Sequence, residues 1–280
     1  MKTLSLNGLI GPEGARFHIM RAHHTTGEKH SHSFFELVYV TDGYCIHTSG
    51  GLNTLLTEGD VFILRPGAAH SYTGNRVTHI YNCLFEASFL GGSEEELRRL
   101  EGLDALFSDA NAPAVRLHLT PSERKRFLNT LDEMYEAYSR KEPGWEIWLR
   151  GRLLCLLTEY ARACTGRRGA DGTASPYPAC VRQALAAIDT GYADASLTVH
   201  AIARDAGLSD DYLTRRFRAA VGITPCEYLR RYRFSRAMEL LSDGLTVREV
   251  AEAVGFSRLS YFSREFTREL GVTPSKYRIG

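Results

Sequence analysis

At 280 residues, with 44 % hydrophobic residues, 24 % charged residues and a formal net charge of +1, the chain is long enough for about two globular domains with real cores. No apolar run approaches the ~20 residues of a membrane helix, so no membrane-spanning helix and no membrane partner are expected. The start, MKTLSLNGLIGPEG, has one Lys, an apolar patch broken by Asn7 and no small-residue cleavage pattern, so no signal peptide is expected. Six cysteines, at 45, 83, 155, 164, 180 and 226, include no C-x-x-C pair and suit reduced thiols in a cytoplasmic protein. The charge is unevenly spread. From Pro176 onward there are 15 Lys+Arg against 12 Asp+Glu, and 14 of the 15 are Arg; residues 1–175 carry 19 against 21. The planar guanidinium fork suits phosphate and base contacts, although most charges only solvate a surface.

Residues 1–92 read as β-structure. The runs RFHIMRAHHTT, FFELVYVTDG, YCIHTSGG, LNTLLTEG, DVFILRPG and HIYNCLFEASF are short, rich in β-branched and aromatic residues, and cut by Gly and Asp-Gly turns. Many short strands at close intervals predict a barrel or sandwich. Residues 93–164 switch to helical spacing. A helix should open at Ser93, and a second at Thr120 with Pro121 in its first position and Phe127, Leu131, Met134 and Tyr138 on one face. These helices either cover the β-domain or form a homodimer interface. Residues 165–178, TGRRGADGTASPYP, are Gly-, Ser- and Pro-rich and read as a linker.

The last domain, 179–280, contains a repeat. Residues 197–230 match residues 245–278, with one extra residue in the second copy. In the first copy Thr198 caps a helix carrying Val199, Ile202, Ala203 and Ala206 on one face; Gly207 turns the chain; Ser209 caps a second helix anchored by Leu213, Phe217 and Ala220. In the second copy Thr246, Gly255 and Ser257 take the same roles, with Phe262, Phe266 and Leu270 as anchors. Helix, tight turn and capped second helix make a helix-turn-helix, whose second helix enters the major groove of double-stranded DNA. The positions facing away from the core are the candidate readers: Asp210, Asp211, Thr214, Arg215 and Arg218 in the first unit, Arg258, Leu259, Ser260, Ser263 and Arg264 in the second.

The run AEAVGFSRLSYFSREFTRELGVTPSKYR, with Gly255-Phe256-Ser257, Tyr261-Phe262-Ser263-Arg264 and Gly271-Val272-Thr273-Pro274, resembles the second helix-turn-helix of the AraC/XylS family of bacterial transcription regulators. That resemblance implies a sequence-specific regulator with a small-molecule effector, a homodimeric state and contact with RNA polymerase.

The stretch KHSHSFFELVYVTDG remains. In a strand, His30, His32, Glu36, Val38 and Val40 share one face, and EGDVFILRPGAAHSY adds His70 downstream. A straight strand would put His30 and Glu36 ~20 Å apart, so the chain must bend between His32 and Glu36 for these side chains to converge. The spacing of His30, His32, Glu36 and Gly43, then Gly59, Pro66-Gly67 and His70, resembles the two motifs of the cupin barrel, in which the first motif spans two strands. The implied fold class is α+β: a cupin-like barrel with a helical segment, followed by an all-α domain of two helix-turn-helix units. Two uses of the pocket stay open, beside a third reading in which the motif is a remnant held by packing alone. His30, His32, Glu36, Arg65, His70 and Tyr72 hold a polar effector such as a sugar, with Tyr39 and Tyr44 as further lining; or His30, His32, Glu36 and His70 hold one divalent metal ion, Zn, Ni, Mn or Fe. His18, His23, His24, His47, His79, His118 and His200 show no convergent spacing and read as structural or surface residues. No catalytic residue is expected; the alternative is a metal-dependent cupin enzyme fused to a DNA-binding tail.

Overall fold

The computed structural model describes residues 2–6, 16–23, 27–73, 78–108, 115–165 and 177–279. Its strands are β1 (Lys2–Leu4), β2 (Phe17–His23), β3 (Gly27–His32), β4 (Phe35–Asp42), β5 (Tyr44–Ser49), β6 (Leu52–Thr57), β7 (Asp60–Leu64), β8 (His70–Thr73), β9 (His79–Phe85) and β10 (Leu117–His118). They form two five-stranded sheets, ordered β1-β3-β8-β5-β6 and β10-β7-β4-β9-β2. β5 and β6 pair from Tyr44↔Thr57 to Ser49↔Leu52 around Gly50-Gly51, whose φ values of 59° and 78° give the two-residue turn that matches strand twist.

Alternation along β4 divides its side chains. Val38 and Val40 face the interior with Cys45, Leu56, Phe62, Leu64, Tyr72 and Ile80. Leu37 and Tyr39 face outward into a second core, built with α3 (Pro121–Arg140) and α4 (Trp145–Thr165). α3 starts as expected: Thr120 Oγ1 accepts from the Glu123 N–H, the Glu123 carboxylate accepts from the Thr120 N–H, and Pro121 follows. Phe127, Leu131 and Met134 are buried and Tyr138 half-buried. The expected helix at Ser93 is only α1 (Glu94–Arg98), and Ser93 makes no side-chain capping bond. After it come α2 (Asp104–Ser108) and β10, which adds to β7 by Leu117↔Val61 and His118↔Asp60. α3 and α4 cover the sheet, one of the two roles left open for this segment.

The expected linker lies almost entirely in 166–176, outside the described residues. Beyond it come α5 (Ala179–Gly191), α6 (Val199–Asp205), α7 (Asp210–Val221), α8 (Pro225–Ser242), α9 (Val247–Ala253), α10 (Leu259–Leu270) and α11 (Pro274–Ile279). Their core gathers Val181, Ile188, Leu213, Phe217, Tyr228, Tyr232, Phe234, Val250, Phe262 and Phe266. The helical spacing of the repeat thus packs around α8, the Arg-rich helix between the two copies.

Candidate nucleic-acid interface and ligand pocket

Each copy of the repeat forms two helices joined by a tight turn. Thr198 Oγ1 accepts from the Ala201 N–H at 3.1 Å and starts α6; Ser209 Oγ accepts from the Tyr212 N–H and starts α7. Thr246 and Glu249 cap α9 reciprocally. At Gly255, φ is 80° and a Cβ would lie 2.6 Å from the Tyr192 carbonyl oxygen, so only glycine makes this turn. One expectation fails. Ser257 does not cap α10; the N-cap is Arg258, which makes no side-chain capping bond. The extra residue of the second copy falls in this turn and moves the helix start one position along, so Arg258 precedes the helix instead of lying on it.

The other expected readers stand where the pattern put them. Leu213 and Phe217 point into the core, as do Phe262 and Phe266. Asp210, Asp211, Arg215 and Arg218 are exposed on α7, as are Arg258, Leu259, Ser260 and Arg264 at α10; Thr214 and Ser263 are half-exposed. Asp210 pairs with His200 of α6 at 3.2 Å, which ties it to the scaffold.

Inside the barrel, strands β3 and β4 are separated by a bend at Ser33 and Phe34, the break that the spacing required. It brings His32 and Glu36 to one point: His32 Nε2 is 3.1 Å from Glu36 Oε2, and His70 Nε2 is 3.6 Å from the same oxygen. One ligand atom from each of the three lies within 4.8 Å of the others, and all three residues are buried. The far ring nitrogens are held by carbonyls: His32 Nδ1 lies 2.6 Å from the Phe34 oxygen and His70 Nδ1 3.3 Å from the Ala68 oxygen. Each Nδ1–H therefore donates outward to a carbonyl, and each Nε2 is turned toward the Glu36 carboxylate. Burial pushes the His70 imidazole down to about 4, more than Glu36 raises it. Burial by itself would raise the Glu36 carboxyl; the hydrogen bond from His32, the charges of His70 and His32 and the Asn82 amide outweigh it and hold the group at about 2.

The remaining expected pocket residues divide. His30 pairs with His70 across the strands and stacks beside it, ring centroids 4.4 Å apart, but is half-buried and outside the three-residue cluster. Tyr72 lines the interior 5.6 Å from the His70 ring. Arg65 has no hydrogen bond or ion pair to the cluster among the described residues. Tyr39 and Tyr44 are not lining. Tyr39 stacks on Phe127 in the outer core, and Tyr44 packs against the helical domain, because each lies on the outward parity of its strand. His47, read from sequence as structural, lies inside the barrel, its ring 4.8 Å from Phe62, 4.9 Å from Tyr72 and 5.6 Å from His70. Its parity with Cys45 was the available signal, but no motif marked that strand. His118 bonds Asp60 at 3.0 Å, His18 bonds Tyr138 at 2.8 Å, and His23 and His79 contact each other; His24 lies outside the described residues.

Two family models match the chain: an AraC-like ligand binding domain over residues 15–157, just over half of its length, and a helix-turn-helix domain over residues 202–279. The chain belongs to the AraC family. It is a DNA-binding transcription regulator with an N-terminal ligand-binding domain. It is 26 % identical over 258 residues to the HTH-type transcriptional activator RhaR of Salmonella dublin, covering 89 % of this chain and 86 % of that protein. Identity to the RhaR of Salmonella typhi is 27 % over the same coverage. Among solved structures, the C-terminal domain of AraT, a response regulator from Geobacillus stearothermophilus, is 34 % identical over 37 % of this chain and 87 % of that chain, with a TM-score of 0.36. Among the described residues no helix is long and apolar enough to cross a membrane.

In this AraC-family chain the two domains share a core. The outward face of β5 and β6, Tyr44, Ile46 and Leu55, packs with Tyr228, Leu229 and Tyr232 of α8. The Leu55 N–H donates to the Tyr228 hydroxyl at 2.9 Å, and the Asn53 amide donates to Asp189 of α5 at 3.1 Å. Beside this contact Asp60 is fully buried between Arg116, at 2.7 Å, and His118. Gly222, where α7 ends, lies against the His118 ring, which would clash with any Cβ there.

Proposed function

We propose that the buried triad of His32, Glu36 and His70 is the effector site of this regulator, and that a divalent ion held by the three side chains takes part in binding. The observation that carries this reading is the orientation of the imidazoles: both Nδ1 atoms are engaged by backbone carbonyls, and both Nε2 atoms converge on one carboxylate. Two neutral imidazole nitrogens and a carboxylate oxygen are a donor set that fits zinc, nickel, manganese or iron and leaves positions for oxygens of a polar effector. A bound ion would supply a positive centre for those oxygens. His47, Tyr72 and Asn82 then face the effector from the surrounding wall, and His30 closes its rim. Elemental analysis of the purified protein tests the ion directly. Stoichiometric metal that is lost in His70→Ala supports the reading; a metal-free protein with the wild-type thermal response to polar ligands leaves the pocket as a direct hydrogen-bonding site.

The same reading makes the chain an activator, since the named relatives are transcriptional activators, and brings RNA polymerase as a partner. α4 carries Ile147 and Trp148 at 73 % and 42 % exposure, an apolar pair that supports a homodimer through this helix. A reporter assay reads the sign of regulation, and sizing of Ile147→Asp reads the dimer. The two-histidine, one-carboxylate set also occurs at iron enzymes. Turnover of a bound ligand at the triad would favour the enzymatic alternative; release of the ligand unchanged supports the regulator.

A further inference from the structure

The two recognition helices repeat one arrangement that the caps and core do not require. In α7 the third residue is Tyr212 and the sixth is Arg215, with the guanidinium carbon 5.7 Å from the ring centre. In α10 the third residue is Tyr261 and the sixth is Arg264, at 5.3 Å. The extra residue before α10 has moved the helix start, yet the pair keeps its place on the helix. Both tyrosines are large side chains left in solvent, at 40 % and 45 % exposure.

Most other arginines that lie over aromatic rings direct their donors to an acid or, like Arg233 over Phe256, to backbone carbonyls. Arg150 over Phe89 has no acid partner among the described residues, but it is half-buried and away from any recognition helix. Arg21 over Tyr135 bonds Asp132; Arg231 over Tyr44 bonds Glu227 and Glu269; Arg236 over Tyr232 bonds Glu239. The donors of these three are used within the fold. Arg215 has no acidic partner among the described residues. Arg264 pairs with Glu265 through Nε alone, at 3.6 Å and too long for a hydrogen bond, and its side chain is 71 % exposed. A guanidinium lying on a ring face keeps its N–H edge directed outward, and that edge is the part that bonds guanine O6 and N7. Stacking also restricts a long side chain that would otherwise lose rotamer freedom on binding.

We infer that Tyr212 and Tyr261 are positioning residues for base recognition: each holds its arginine over the ring with the donor edge free to meet a base pair in the major groove. This rests on Arg215 and Arg264 being base readers, and the experiment separates the two statements. The full chain is used to select binding sites from a pool of random duplex DNA, and the base preference is read at every position of the selected sites. Arg264→Ala erases a guanine preference at one position. Tyr261→Leu lowers the preference at that same position by about 2- to 5-fold, the range of an exposed cation–π contact, and leaves the others unchanged. Tyr261→Phe retains it, because the ring face is kept. Tyr212→Leu and Tyr212→Phe act in parallel at the base read by Arg215. Thermal melting confirms that each variant is folded. If Arg264→Ala changes no position, the base-reading assignment itself fails and this inference with it. With that assignment intact, the positioning role is overturned by Tyr261→Leu keeping the preference, by its weakening all positions evenly, or by Tyr261→Phe losing as much as Tyr261→Leu.

Discussion

The two domains place their candidate functional side chains in opposite environments. In the barrel, His32, Glu36 and His70 are at most 5 % exposed and meet one another. On α7 and α10, Arg215, Arg218 and Arg264 stand in solvent, and none of the three has a hydrogen bond to an acid among the described residues. A buried polar group must find its partner within the fold, because an unmatched one is expensive; an exposed one can wait for a partner outside. Substitutions in the barrel should therefore disturb fold and site together, whereas those on the recognition helices should change DNA binding and leave stability alone.

The largest effect is expected where burial is complete. Asp60→Asn strands the Arg116 guanidinium beside the domain contact and should cost roughly 3–5 kcal/mol in chemical denaturation. Burial by itself would raise the Asp60 carboxyl, but Arg116 and His118 hold it below its ordinary value. Its contribution is thus present above the unfolded value of about 3.9 and fades as pH falls through the lower folded value. The variant should lack that acid limb, and an unchanged profile would remove Asp60 from the account.

Glu36→Gln keeps the shape of the triad but removes its charge. On the proposed metal reading it should reduce bound metal to trace level by elemental analysis, while the DNA affinity of effector-free protein stays within about twofold, since the candidate reading helices lie in the other domain. On the exposed side, Arg264→Ala should weaken binding to a selected site by ~1–3 kcal/mol at fixed salt. Its melting should stay within ~0.5 kcal/mol of wild type, and a large drop would break the contrast between the domains.

The smallest effects compare the two helix starts. Ser209→Ala removes a capping bond and should cost about 1 kcal/mol. Ser257→Ala removes none and should stay within ~0.5 kcal/mol. Equal losses at the two positions would mean that Ser257 caps α10 in solution.

Much of this was legible from residue order, for a reason that differs between regions. The helix-turn-helix units depend on local periods of three and four, a capping hydroxyl and a glycine turn, all set by neighbours in sequence. The one error there, Ser257, came from a single extra residue in the turn, which the periodicity of the following helix does not register. The pocket was less legible. Parity put His32 and Glu36 on one face and called for a bend, but inclusion in the cluster depends on depth along the strand. His30 is two residues before His32 and remains at the half-buried rim.

The sequence by itself determined the kinds and order of elements, the duplicated DNA-binding unit and which side chains of α7 and α10 face solvent, because those follow from spacing within a few residues. Only the tertiary structure decided that His47 joins the pocket, that Tyr39 and Tyr44 leave it, and that β5 and β6 pack on α8. Each of these depends on which sheet face is covered by which helix, and strand alternation names two faces without saying what will lie against either.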